Sequence, residues 1–386
     1  MSKKHFSWLL VATLVVGALI FILPGGTSKD SEFQVQLLLP DLAGWANNID
    51  RVQVKAADNQ TAAGQIVATL KRQDDAWVME EFHDYPADWP KLRELLSALA
   101  KARIIEPKTN NAEYFSRLGV SDISNEDSQA MQIQLQSGDG TMAVLIGNAA
   151  EGREGQYVRL VDGDQALLID QQLNLPAEAK DWLQRDLIDV SDAEVVEFSV
   201  VHADGAELKG SKTSADDDDF SLQDVPEGRE VLSAWSVNSI ANALATLQLD
   251  SVAPAATVDF SAATQFRLLT ADGLQVLAEL AEFEEQQWLR ISASAYESDG
   301  AAETTDTANT DAAEEAKDDV DNASGIAVAE PSEADQLDQT ERVDAKERAA
   351  TINQRVSGWA YRIPSFKADA MNKRMEDLLK ALPANE

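Results

Sequence analysis

The chain has no cysteine, which excludes disulfides, thiolate nucleophiles and cysteine-held metals while staying compatible with an oxidising compartment. Histidine is almost as scarce: His5, His83 and His202 are the only three. No H-E-x-x-H pair occurs, so the sequence offers no zinc site and no other metal site. Positive charge is in short supply as well. There are 32 basic against 67 acidic side chains in 386 residues, a net charge of −35. That balance excludes general electrostatic binding to nucleic acid and docking of the bulk of the chain on an anionic lipid surface.

Catalytic motifs are missing too. There is no G-x-S-x-G elbow for a nucleophilic serine, and His83 and His202 each lie in or beside an expected strand. Gly147, Gly152 and Gly155 stand between two strands rather than before a helix, so they read as a hairpin loop and not a phosphate cradle. The run Asp216–Asp219 lacks the alternation, glycine and distal glutamate of a calcium loop and reads as a solvated hairpin tip. Carboxylates are so abundant that a pair of them carries no information about acid–base chemistry. The expectation is a protein without catalytic residues, cofactor or metal.

One long apolar run is present. Phe6–Leu23 is 18 residues without a charge, about 27 Å as a helix at about 1.5 Å per residue, close to a hydrocarbon core. Lys3 and Lys4 precede it and no basic excess follows, so the N-terminus is expected in the cytoplasm and the remainder across the membrane. The exit, Pro24-Gly25-Gly26-Thr27, is a poor signal-peptidase site. The expected localisation is the bacterial inner (cytoplasmic) membrane, single-pass, with the bulk periplasmic.

The remainder reads twice. Ala130–Gly140 and Ala263–Gly273 are alternating runs that end in Asp-Gly, a strand and a tight turn. Gln156–Leu160 and Gln287–Ile291 are a second matched pair of strands. Upstream of each lies a helix with a tryptophan at its start. Asp88 caps Trp89-Pro90, with Leu92, Leu95, Leu96 and Leu99 in one stripe. Trp235 and a capping Ser236 precede Val237, Ile240, Ala241 and Leu244 at the same spacing. Both copies end in a strand and a helix, Leu167–Ile169 with 176–188 and Trp359–Ile363 with 368–382. Strands are expected at Ile49–Lys55, Ile66–Leu70 and Trp77–Glu80 in the first copy, and at Glu194–His202 and Phe220–Leu222 in the second.

The fold class is therefore α+β: an N-terminal transmembrane helix, then two tandem repeats of one α+β unit, antiparallel strands with a packed helix each. The expected division is 1–5 cytoplasmic, 6–23 transmembrane, 24–47 linker, 48–190 first repeat, and 191–296 plus 357–383 second repeat. Between the last two lies 297–331, with eleven acidic residues, one lysine and no aromatic, a composition that favours disorder. A helix over 332–356 returns the chain to the second repeat. Tryptophans 89 and 235, recurring at helix starts, are expected in the cores. Trp45 and Trp182 are the candidates for stacking on a sugar or peptide.

Several segments together resemble a bacterial family, domain of unknown function 4340. They are Leu38-Leu39-Pro40-Asp41-Leu42, Asn48–Val52, the Trp77 strand, the Trp89 helix, Tyr114-Phe115-Ser116-Arg117-Leu118-Gly119-Val120, Ile146-Gly147, Tyr157-Val158-Arg159, and Gly358–Pro364. The likeness covers most of 35–380 outside the acidic insertion, and its motifs are structural. It implies membrane anchoring and association with an ABC-type permease, its ATPase and a gliding-like auxiliary protein; it supplies no catalytic residue. The resulting expectation is a non-enzymatic, membrane-anchored periplasmic accessory protein with inner-membrane protein partners. The alternative is a module binding cell-envelope glycan or peptide in a cleft between the repeats. A third possibility, an envelope hydrolase, needs His83 or His202 beside a serine or carboxylate.

Overall fold

The computed structural model describes residues 36–45, 47–58, 64–138, 140–214, 217–296 and 333–381, with side chains from 344 onward in the last stretch. The expected membrane segment 6–23 and acidic insertion 297–331 lie outside the described residues. Among the described residues, no helix is long and apolar enough to cross a membrane. The architecture is mixed α+β with antiparallel sheets, and the chain forms two compact units. One comprises the described residues of Met1–Val78 with Ala87–Trp182, the other Met79–Pro86 with Leu183–Glu386. The sequence had set the boundary after 190.

In the first unit the strands are β1 (Gln36–Leu37), β2 (Arg51–Ala56), β3 (Gln65–Gln73), β4 (Ala76–Met79), β5 (Arg103–Pro107), β6 (Met131–Ser137), β7 (Gly140–Ala149), β8 (Gln156–Leu160) and β9 (Ala166–Ile169). They run in the order β4-β3-β2-β6-β7-β8-β9-β5-β1. Alternation sets the faces: Val52 and Val54 on β2 pair with Leu135 and Ile133 on β6, and all four are fully buried. Helix α1 (Trp89–Lys101) begins as the sequence indicates. Asp88 accepts the Lys91 amide at 3.0 Å, Pro90 lies in the first turn, and Leu92, Leu95 and Leu99 are buried.

The second unit contains β10 (Val195–Val201), β11 (Glu207–Ser211), β12 (Ser221–Leu222), β13 (Ser251–Pro254), β14 (Thr264–Thr270), β15 (Leu274–Phe283), β16 (Gln286–Ala295) and β17 (Trp359–Arg362). Their order, β12-β11-β10-β14-β15-β16-β17-β13, repeats that of the first unit position by position from β4 to β5. Strand β11 is an element the sequence reading omitted. Phe198, Val200, Phe266, Leu268, Val276 and Leu289 are buried on these strands.

Three expected helices come out differently. The stretch 176–188 holds only a 3-10 turn, Ala179–Trp182, and a short strand, Asp186–Ile188, paired with Leu247–Gln248. Leu187 and Ile188 are buried within that strand pairing rather than on a further helical turn. The helix before Leu244 is capped by Ser233, which accepts the Ser236 amide at 3.2 Å, and α3 spans Ala234–Ala241. The stretch 368–382 splits into α5 (Ser365–Met371) and a 3-10 turn, Met375–Leu378. The Lys373 carbonyl between them accepts from His202 instead of continuing a helix. By contrast, α4 (Glu333–Val356) matches the expected 332–356 and packs over β15 and β16.

Candidate docking groove

The two tryptophans set apart for stacking are placed differently from that expectation. Trp182 is fully buried and its indole N–H donates to the Pro176 carbonyl at 3.2 Å, so neither ring face is open to a ligand. Trp45 is half-buried, with its ring so close over Gly140 that a Cβ there would fall 2.5 Å from Cη2. Both are packing residues of the first unit.

Neither described histidine, His83 or His202, stands beside a serine or carboxylate hydrogen-bonded to its ring. His202 is buried, its Nε2 3.2 Å from the Lys373 carbonyl and its Nδ1 3.4 Å from the Thr264 hydroxyl. Exposed His83 ends a 3-10 turn at φ 56°. Among the described residues no cluster of His, Asp or Glu is arranged to hold a metal. Of the aspartate run, Asp217 accepts the Ser214 amide and Asp219 accepts the Asn238 side chain.

The family motif proves to be a clamp. Arg159 on β8, 4% exposed, donates to the carbonyls of Val120 at 3.0 Å and Gly163 at 2.8 Å and pairs with Asp122. Its guanidinium carbon sits 4.7 Å from the centre of the Phe115 ring. Phe115 opens the one-turn helix α2 (Phe115–Leu118), which Gly119 ends at φ +71°. At Gly147 a Cβ would meet the Leu118 carbonyl at 2.3 Å, so β7 can pass this turn only as glycine. In the second unit Arg290 on β16 stands 4.7 Å from the Phe260 ring centre and is paired with Glu279 at 2.7 Å. These residues fold the units; none offers reactive chemistry.

The feature that does present itself outward is a groove of about 670 Å³ in the second unit, between α3 and α5. Leu232, Trp235 and Phe366 stand around it with 55%, 78% and 65% of their surface exposed. The walls are held rigidly. The Lys367 ammonium reaches across from α5 to the carbonyls of Asn242 and Ala245 at 3.0 and 2.8 Å, closing off the end of the helical segment that α3 begins. Burial pushes the Lys367 ammonium below its ordinary pKa, with Asp189 opposing that shift. The Leu232 amide donates to the Leu378 carbonyl at 2.7 Å, fixing the third apolar residue.

Sequence reasoning placed Trp235 in the core and did not single out Leu232 or Phe366. The expected cap, Ser236, lies three residues beyond the actual one, Ser233. Aligned on their caps, Asp88 and Ser233, the two helices put Trp89 at the first helical position and Trp235 at the second. One residue turns a side chain by about 100°. Trp89 lies stacked along Trp77 at 6.3 Å between centroids but is still 43% exposed, and Trp235 turns further out, so neither tryptophan belongs to a core as the sequence suggested. The cap residues, not the tryptophans, were the signal to align.

The family model described as "Domain of unknown function (DUF4340)" matches residues 77–267. That stretch includes α1, the Arg159 clamp, Leu232 and Trp235, and ends before Phe366. No curated protein and no solved structure matches the chain.

Proposed function

The chain belongs to the DUF4340 family, and from that premise we propose that it is a non-enzymatic docking protein, tethered to the inner membrane by residues 6–23. In this reading it serves as a periplasmic accessory subunit of an ABC-type transport or export assembly. The observation that carries the reading is the groove rimmed by Leu232, Trp235 and Phe366. Large apolar side chains gathered around a concavity on a strongly charged surface mark a place where another protein is received. Tethering raises the effective concentration of such a groove near a membrane partner, so a weak contact suffices. The permease, its ATPase and a gliding-like auxiliary protein enter through the family resemblance.

The test is capture of the tagged full-length chain from membranes in mild detergent, followed by mass spectrometry. Recovery of a permease and its ATPase, reduced at least about tenfold by Trp235→Ser, supports the reading. Recovery unchanged by that substitution, or no transporter component at all, contradicts it.

We infer further that the two units are copies of one α+β unit. Supporting this are the shared strand order, the equivalent caps Asp88 and Ser233, and the arginine-over-phenylalanine pairs Arg159–Phe115 and Arg290–Phe260. If so, Arg290→Met loosens amide exchange around Phe260 as Arg159→Met does around Phe115. Exchange that rises in one unit and not in the other speaks against duplication.

A further inference from the structure

Resting on the docking reading above, we propose that the groove receives a short segment of a protein partner in which an aromatic side chain is flanked by basic residues. The apolar half follows from the walls. Trp235 and Phe366 offer ring surface from two helices, with Leu232 beside them, around a space of about 670 Å³, room for a bulky side chain. The polar groups of α3 are already committed. The Ser236 hydroxyl donates to the Ser233 carbonyl at 2.7 Å and the Ser239 hydroxyl to the Ser236 carbonyl at 2.8 Å. Asn238 accepts the Phe220 amide at 3.0 Å and donates to Asp219 at 2.8 Å. The α3 wall therefore offers a ligand's hydroxyls few uncommitted partners, while its ring surface suits an aromatic side chain.

The basic half follows from charge. Asp192, Asp369 and Asp377 line the groove together with Lys367 and Lys373. Three carboxylates face two ammonium groups, one of them, Lys367, held by two backbone carbonyls, so the lining carries an excess of negative charge. Around them lies a chain of net charge −35, whose field steers a basic segment inward and repels an acidic one.

The test measures fluorescence anisotropy of labelled peptides with the full chain in nanodiscs. The probes are acetyl-Lys-Trp-Lys-Lys-amide, its Glu-Trp-Glu-Glu counterpart and a Lys-Ala-Lys-Lys control. The basic tryptophan peptide is expected to bind at least about tenfold tighter than either comparison, and to weaken as salt rises from about 0.05 to about 0.5 M. Trp235→Ser and Phe366→Ser should each weaken it about tenfold or more. Both side chains are exposed, so folding is kept, with circular dichroism as the check. Asp369→Lys should narrow the preference for the basic peptide without touching the rings. Equal binding of the acidic peptide, indifference to Trp235→Ser, or no binding at millimolar peptide overturns the proposal. Those outcomes leave docking itself standing if transporter capture still depends on Trp235. Loss of that dependence would instead remove the reading on which this proposal rests.

Discussion

At the scale of single residues, the side chains that give this family its sequence pattern are structural hubs. Arg159 satisfies two backbone carbonyls while its face covers Phe115. Arg159→Met keeps the apolar stem but strands those carbonyls, and is expected to cost about 2–3 kcal/mol, read as a lower urea midpoint for the first transition. Arg159→Lys should not restore it, because a single ammonium nitrogen cannot stand at the three positions from which Nε, Nη1 and Nη2 reach their partners. A second residue-scale expectation concerns Tyr85 and Tyr361, both buried in the second unit, with their hydroxyls on the carbonyls of Gln184 and Val356. Burial pushes the Tyr85 phenol from 10.0 up to about 12 and raises Tyr361 as well. A pKa raised in the folded state means that the neutral phenol favours folding. That stability is intact below pH 10 and is lost as pH rises through about 12. Tyr85→Phe should therefore flatten the fall in thermal midpoint across this window; an unchanged slope would show that the phenol is not buried in solution. The sequence revealed that Phe115, Gly119, Gly147 and Arg159 belong together as a pattern. It did not show that they touch, because they come from three separate segments.

At the scale of elements, legibility followed local signals. Alternation ending in Asp-Gly turns located β6 and β14, and the Asp88 cap with Pro90 located α1. Helix α4 was readable from its return to helical spacing, but its partner was not. Strand β16 runs well past β17, which pairs with it only at Trp288 and Leu289. Where that pairing stops, Asn353 of α4 takes the place of a strand. Its Oδ1 accepts the Ala293 amide at 2.9 Å and its Nδ2 donates to the Ala293 carbonyl at 2.7 Å. Arg348 adds pairs to Asp272 and Glu194. Asn353→Leu is expected to cost about 2 kcal/mol and to speed amide exchange at Ala293 while leaving β14 protected. Unchanged exchange at Ala293 would mean that the amide fork does not hold the edge. Trp235 shows the limit of element-level reading: the helix was found, yet its cap was placed at Ser236 rather than Ser233, and its largest side chain was assigned to the core although it faces solvent.

At the scale of the whole molecule, charge composition excluded partners more effectively than it identified them, and no spacing in the sequence joined Leu232, Trp235 and Phe366. The docking account stands on that groove, so the most direct measurement is site-specific photocrosslinking in intact membranes. A photoreactive phenylalanine analogue is placed at position 235 or 366, with exposed Tyr114 of the first unit as the comparison position. The account predicts light-dependent adducts from 235 and 366 to a membrane-embedded transporter subunit, and none of that species from 114. Absence of an adduct at both groove positions, or the same adduct at all three, would contradict it.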